Sequence, residues 1–178
     1  MADSPRPPET ELAALRQWFR YMAAARSVYL EAFDKLPEET LRKDRGASFP
    51  TVLDIFAHAL RAHRSWVVFA YVDAPETDAK STGWTLPETR ELVNEVAATL
   101  ETFLSTLTPA DLDRTFTFHF VPGDERTRAT YTTRQMLWHL VEEEVQHRGE
   151  INALLWQDDI DPPIYDWIDW TKTLPNSG

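Results

Sequence analysis

Within Trp138-His-Leu-Val-Glu-Glu-Glu-Val-Gln-His-Arg-Gly149, Glu143 and His147 stand four residues apart on the arc set by Met136, Leu140, Ile151 and Leu154. At about 100° per residue that spacing is one helical turn, so both side chains project where apolar groups should face a core. A carboxylate and an imidazole placed there cost several kcal/mol unless a partner or a metal ion compensates them. A lone histidine on such an arc is more often a hydrogen-bonded core residue. Glutamate is almost never buried without a counter-charge or a metal, so the pair together favours a site.

The other titratable residues nearby leave alternatives open. His139 lies one further turn back, toward the edge of the arc, where it can ligate, support the ligands or face solvent. On the second helical pattern His58 shares a face with Ile55, Ala62, Trp66 and Phe69, whereas His63 goes with Phe56, Leu60, Val67 and Ala70. Periodicity does not choose between them. Glu142 falls on the outer side. Glu144 falls on the far edge of the arc with Arg148 four residues on, and an i,i+4 ion pair is expected.

Four long amphipathic patterns position these residues. The first, after Pro7-Pro8 and ending by Pro37, carries Leu12, Leu15, Phe19, Met22, Tyr29, Phe33 and Leu36 at helical spacing. The second follows Ser48-Phe49-Pro50-Thr51, a stretch suited to capping and to a first turn, and runs to about Val72. A loop from Asp73 to Thr85 leads into the third pattern, Pro87 to Leu107, and the fourth runs from Thr132-Thr133 to about Gln157, before Asp161-Pro-Pro163. Gly149 inside this last pattern suggests close packing or a local kink. Between the third and fourth patterns, Thr115 to Phe120 alternates strictly and Thr127 to Thr132 can return, which predicts a short hairpin with Phe116, Phe118 and Phe120 inward. His119 then points away as an ordinary surface histidine. The expectation is an all-α four-helix bundle with a hairpin-like excursion. Residues 1–9 read as a flexible tail, 10–171 as one domain and 172–178 as a second tail.

Composition narrows the function classes. A 178-residue chain suits one domain with a sizeable core. Its net charge of -11 opposes contact with nucleic acid or anionic lipid. The absence of cysteine removes any disulfide, zinc-thiolate site or thiol nucleophile and fits a cytoplasmic protein. The longest apolar run, Trp66 to Val72, is too short to cross a bilayer. The five glycines form neither a P-loop nor a dinucleotide fingerprint, and no G-x-S-x-G elbow occurs. Trp138, Val141, Val145 and Trp156 make a second stripe opposite Glu143 and His147, suited either to the chain's own core, including Tyr165 to Trp170, or to a second subunit.

The last helix also resembles the DinB-like (YfiT and DinB) proteins, over almost the whole chain. Their final helix carries a W-H-x-x-x-H-E-x-x-H-R-G-[QE]-[IL]-like pattern, matched here by Trp138, His139, Glu144, His147, Arg148, Gly149, Glu150 and Ile151. Their second helix reads L-x-H followed by tryptophan, as in Phe56-Ala-His58 through Trp66. Gly123, Pro162-Pro163 and Asp166 agree as well. The resemblance implies an up-and-down bundle, often a homodimer, with a divalent metal held between His58 and the pair at 143 and 147. Glu143 departs from it, since histidine is usual there. Two imidazoles and one carboxylate suit zinc or nickel, and also manganese or ferrous iron. Some relatives are thiol-dependent transferases or isomerases using a low-molecular-weight thiol, and others are described as metal-dependent hydrolases. On that reading His139 or Glu144 would manage protons for a small-molecule substrate. The competing expectation is a non-enzymatic binding or stress-associated bundle, with Glu143 and His147 as a structural ion pair.

Overall fold

The structure is a computed structural model and describes residues 8–72, 80–119 and 124–174. Four long helices carry the core: α1 (Pro8–Phe33), α3 (Val52–Arg64), α4 (Leu86–Thr106) and α5 (Thr133–Gln157). Short helices α2 (Glu38–Leu41) and α6 (Trp167–Thr171) lie outside them. α3 lies against both α4 and α5, and α1 closes on the same two from the other side. α1 therefore faces α3 across the core, where Tyr29 stacks on Phe56 and Phe33 meets the same ring edge-on. Leu15, Met22, Phe33, Ile55, Leu140 and Ile151 are completely shielded from solvent. Truncating one such leucine or isoleucine to alanine typically costs about 2–5 kcal/mol.

Each long helix downstream of α2 starts on a threonine. Thr51 caps α3 by accepting from the Asp54 amide, and Asp54 in turn accepts from the Trp84 amide, tying the entry to α4 onto α3. Thr85 with Glu88 and Thr132 with Gln135 form reciprocal capping boxes on α4 and α5. Thr132 is also the last residue of strand β2 (Arg128–Thr132), which pairs antiparallel with β1 (Thr115–His119), Phe116 opposite Tyr131. Strand pairing and helix start are thus fixed at one residue.

The second helical pattern does not stay α-helical to its end. From Ser65 to Tyr71 it widens into a π-helix, closed by the Val72 amide on the Val67 carbonyl. The hairpin packs on this segment: Phe116, Phe118 and Tyr131 surround Trp66. Phe116 is buried and Phe118 half-buried, as expected of inward positions. Phe120 and the side chain of His119 lie outside the described residues, as do residues 73–79 of the loop and residues 1–7 and 175–178 of the two tails. Leu36 falls beyond α1, in the turn that follows it. At Gly149 an added Cβ would meet open space, so the helix does not depend on glycine there for close packing.

Part of the second apolar stripe of α5 is not core. Val141 is buried, but Trp138, Val145 and Trp156 are 39%, 45% and 54% exposed. The C-terminal aromatic segment packs instead on α1, with Trp167 stacked 4.3 Å from Trp18 and Tyr165 accepting at its carbonyl from the Tyr21 hydroxyl. None of the helices among the described residues is long and apolar enough to cross a membrane.

Candidate metal centre

α3 and α5 lie side by side, with His58 and His63 of the first against Glu143, Glu144 and His147 of the second. His58, Glu143 and His147 converge so that one ligand-capable atom from each lies within 4.8 Å of the others. Oε2 of Glu143 is 3.4 Å from Nε2 of His147 and 3.7 Å from Nε2 of His58. That oxygen is shielded from solvent yet has no hydrogen-bond partner. Two imidazole nitrogens and an unpartnered carboxylate oxygen facing one point could hold a divalent cation. The residues present therefore fit a metal, and of the two second-helix histidines it is His58 that joins them.

Electrostatics agree with that geometry. The Glu143 carboxylate raises the His147 pKa above its ordinary value, more than burial lowers it, with Glu150 adding to the rise. Proximity to His147 lowers the Glu143 pKa against the opposing effect of burial, and His139 and His58 help. His58 is lowered, first by burial and then by the charge of His147. The same carboxylate that favours the protonated form of His147 would neutralise part of the charge of a bound cation.

Nδ1 of His147 donates to Oε2 of Glu150 at 3.1 Å. Fixing the proton on Nδ1 leaves Nε2 directed at Glu143 and His58, the arrangement in which an outer carboxylate orients a histidine ligand. Glu150 is itself held by the Ser48 amide at 3.0 Å and the Ser48 hydroxyl at 2.7 Å. The ring of Phe49 stacks on His58, 4.2 Å between centroids. Sequence reasoning reached Glu150 only as a pattern match, offered Ser48 only within a helix-capping stretch whose cap is Thr51, and gave Phe49 no role at the site; the i,i+3 spacing of His147 and Glu150 is the signal that could have found the first.

His139 sits at the rim. Its Nε2 is 3.6 Å from Oε1 of Glu143, its ring meets Trp66 edge-on, and its side chain is 38% exposed. It thus both faces solvent and lies beside the Glu143 carboxylate. Glu142 is exposed.

Glu144 differs from expectation. It does not pair with Arg148 but turns into the core, 2% exposed, and accepts from both Nε and Nη2 of Arg26. Arg148 instead reaches the Tyr21 hydroxyl at 3.2 Å, with its guanidinium over the Tyr21 ring. The physical reason is α1: Arg26 occupies the stripe between Met22 and Tyr29, and a buried guanidinium attracts the nearest carboxylate more strongly than an arginine that has an aromatic face and a hydroxyl. His63 completes this inner group. Its Nδ1 donates to the Ala59 carbonyl at 2.9 Å, so Nε2 is left to accept from Arg26 Nη2 at 3.3 Å. Burial, then the charges of Arg26 and His139, keep its pKa well below the ordinary histidine value.

No curated protein sequence matches the chain. Among solved structures it is similar to the crystal structure of a DinB-like protein from Bacillus cereus: TM-score 0.60 and 16% identity, over 85% of this chain and 95% of that one. This likeness establishes the fold. The sequence profile of the DinB family matches residues 9–173, nearly the entire chain, and the chain belongs to the DinB family.

Proposed function

We propose that this protein binds a divalent cation through Nε2 of His58, Oε2 of Glu143 and Nε2 of His147, and uses it on a small-molecule substrate. The observation that carries the reading is the buried, unpartnered Oε2 of Glu143 facing two imidazole nitrogens. A cation held by three protein groups keeps positions open, acidifies a water or thiol that binds it and polarises a carbonyl. With no cysteine in the chain, any thiol comes from a low-molecular-weight cofactor. The reaction class is metal-dependent hydrolysis or thiol-dependent transfer. His139 is the group at the rim with solvent access to exchange a proton; Glu144 is committed to Arg26 and does not serve. Zinc or nickel suits the two-nitrogen, one-oxygen set first, manganese or ferrous iron next.

Metal content by plasma mass spectrometry on untagged protein, alongside His147→Ala and Glu143→Ala, tests the reading. Near-stoichiometric metal that both variants lose supports it. No metal after reconstitution with zinc, nickel, manganese and ferrous iron replaces it with the second reading, a non-enzymatic bundle in which Glu143 and His147 form an ion pair. Conjugation of a generic electrophile, with and without an added thiol, then separates transferase from hydrolase.

The exposed stripe of Trp138, Val145 and Trp156 favours a homodimer. A clean monomer in sedimentation velocity at micromolar concentration would remove that part of the proposal. The acidic charge argues against nucleic acid and anionic membranes as partners, and the lack of cysteine suits a cytoplasmic location.

A further inference from the structure

Residues 43–50, between α2 and α3, cross to α5 and touch the candidate centre on both of its imidazoles. One end is anchored away from the site: Lys43 and Arg45 both bind Asp158 just past the end of α5, and the Arg45 amide donates to the Pro50 carbonyl at 2.9 Å. Gly46 takes φ +59, the left-handed region in which glycine is least strained, and turns the segment back toward α5. Beyond that turn lie the two contacts with the site. Ser48 grips Glu150 with amide and hydroxyl, and Glu150 holds Nδ1 of His147. Phe49 lies flat on His58 and reaches within 6.4 Å of the His147 ring centre.

We infer that residues 43–50 form a positioning strap, in which Ser48 acting through Glu150 sets the tautomer and direction of His147 while Phe49 sets the ring plane of His58. Neither Ser48 nor Phe49 is a ligand; each acts through a residue that is. A neutral imidazole carries one proton on either nitrogen, and an acceptor fixed at Nδ1 places it there, which frees Nε2. Of the hydrogen bonds to Glu150, two come from Ser48, so losing the hydroxyl weakens the grip on the acceptor and not the acceptor itself. The strap is exposed at Ser48 and Gly46.

The inference rests on the metal-binding reading for one readout and stands free of it for the other. In metal-free protein, nitrogen-15 NMR of the imidazoles should find neutral His147 as the Nδ1–H tautomer; Ser48→Ala and Glu150→Ala should shift it toward Nε2–H, and Ser48→Thr should restore it. In zinc or cobalt competition titrations, Ser48→Ala, Glu150→Ala and Phe49→Ala should weaken affinity by roughly ten- to a hundredfold, the range for outer-sphere partners of ligands, with Ser48→Thr close to wild type. Unchanged helicity and urea midpoints in these variants exclude general unfolding. Wild-type protein that takes no metal, with the tautomer still following Ser48 and Glu150, would sink the metal reading and leave the positioning relay standing. A His147 tautomer indifferent to both residues, or wild-type metal affinity in all three variants, would overturn the strap.

Discussion

α3 and α5 bring together two histidine–glutamate pairs, His58 with Glu143 and His63 with Glu144, five residues apart on one helix and adjacent on the other. Their surroundings make them opposites. The inner pair is sealed, with His63 fully buried and Glu144 2% exposed, and the chain supplies its cation in Arg26. The outer pair is part-exposed and acquires a second imidazole, His147, in place of a protein cation. Identical residue types thus give a charge-compensated structural pair in one place and, in the other, a carboxylate and imidazoles with no protein cation beside them among the described residues. What separates them is whether α1 offers an arginine, and at the outer position it does not.

The largest effect expected from this contrast is on the inner pair. Arg26→Ala leaves a buried carboxylate without its counter-charge and should destabilise the fold by about 3–5 kcal/mol, the range for breaking one partner of a buried ion pair. Urea unfolding measures it. Replacing Arg26 and Glu144 together by methionine and leucine should recover much of that loss. A single variant that costs under about 1 kcal/mol would mean the inner carboxylate is neutral or hydrated and the contrast false.

The outer pair should respond in affinity, with little change in stability. His147→Ala removes one donor and the orienting link to Glu150 and should lower affinity for zinc at least about a hundredfold, roughly 2.7 kcal/mol. Metal-free stability should change far less, because Glu143 retains solvent contact. Metal titration and urea unfolding of the same sample separate the two. Equal zinc affinity in wild type and variant would move the ion elsewhere.

A smaller effect marks the inner layer in pH. Tyr29 donates to Asn152 Oδ1 at 2.6 Å, and its pKa is raised to about 12, chiefly by burial and against the opposing charge of Arg148. The folded value lies above the unfolded one of about 10. Tyr29 ionises first in the unfolded chain, so its contribution is complete below pH 10 and is lost as the pH climbs toward 12. At pH 11 the loss should be roughly 1.4 kcal/mol, read as the difference in alkaline stability between wild type and Tyr29→Phe. Parallel decline in both proteins would show that Tyr29 is not the group responsible.

The bundle was legible because its helices carry 3.6-residue periodicity and end on threonines and prolines; the spans of α1, α4 and α5 follow from those signals almost directly. The π-helical stretch was not, since Ser65 to Tyr71 is apolar on every side and periodicity cannot count residues per turn there. Glu143 and His147 declared themselves by lying on an apolar arc. His58 and His63 could not be ranked from the wheel, because both faces of their helix are apolar and the choice depends on which neighbour fills each. Arg26 was overlooked although it interrupts the stripe Met22, Tyr29, Phe33, which is the same kind of signal as Glu143. Glu144 was misassigned in consequence: an i,i+4 rule sees Arg148 on its own helix and cannot see an arginine arriving from α1.

Glu143→His, which exchanges one ligand-capable side chain for another, is the mildest change and discriminates best. If the outer pair needs a ligand and not a negative charge, an imidazole at 143 should keep metal bound within roughly tenfold of wild type, under about 1.4 kcal/mol. The cobalt absorption spectrum should move, because an oxygen donor has become nitrogen. The same exchange at 144 should fail differently. Histidine there removes the carboxylate that Arg26 requires and leaves a buried guanidinium, so Glu144→His should unfold at markedly lower urea than Glu143→His while gaining no metal. Two adjacent glutamates, given the same substitution, then report on two kinds of cation. Similar urea midpoints for the two variants, or loss of metal in Glu143→His as complete as in His147→Ala, would erase the proposed distinction between an inner site whose cation is Arg26 and an outer one that takes a metal ion.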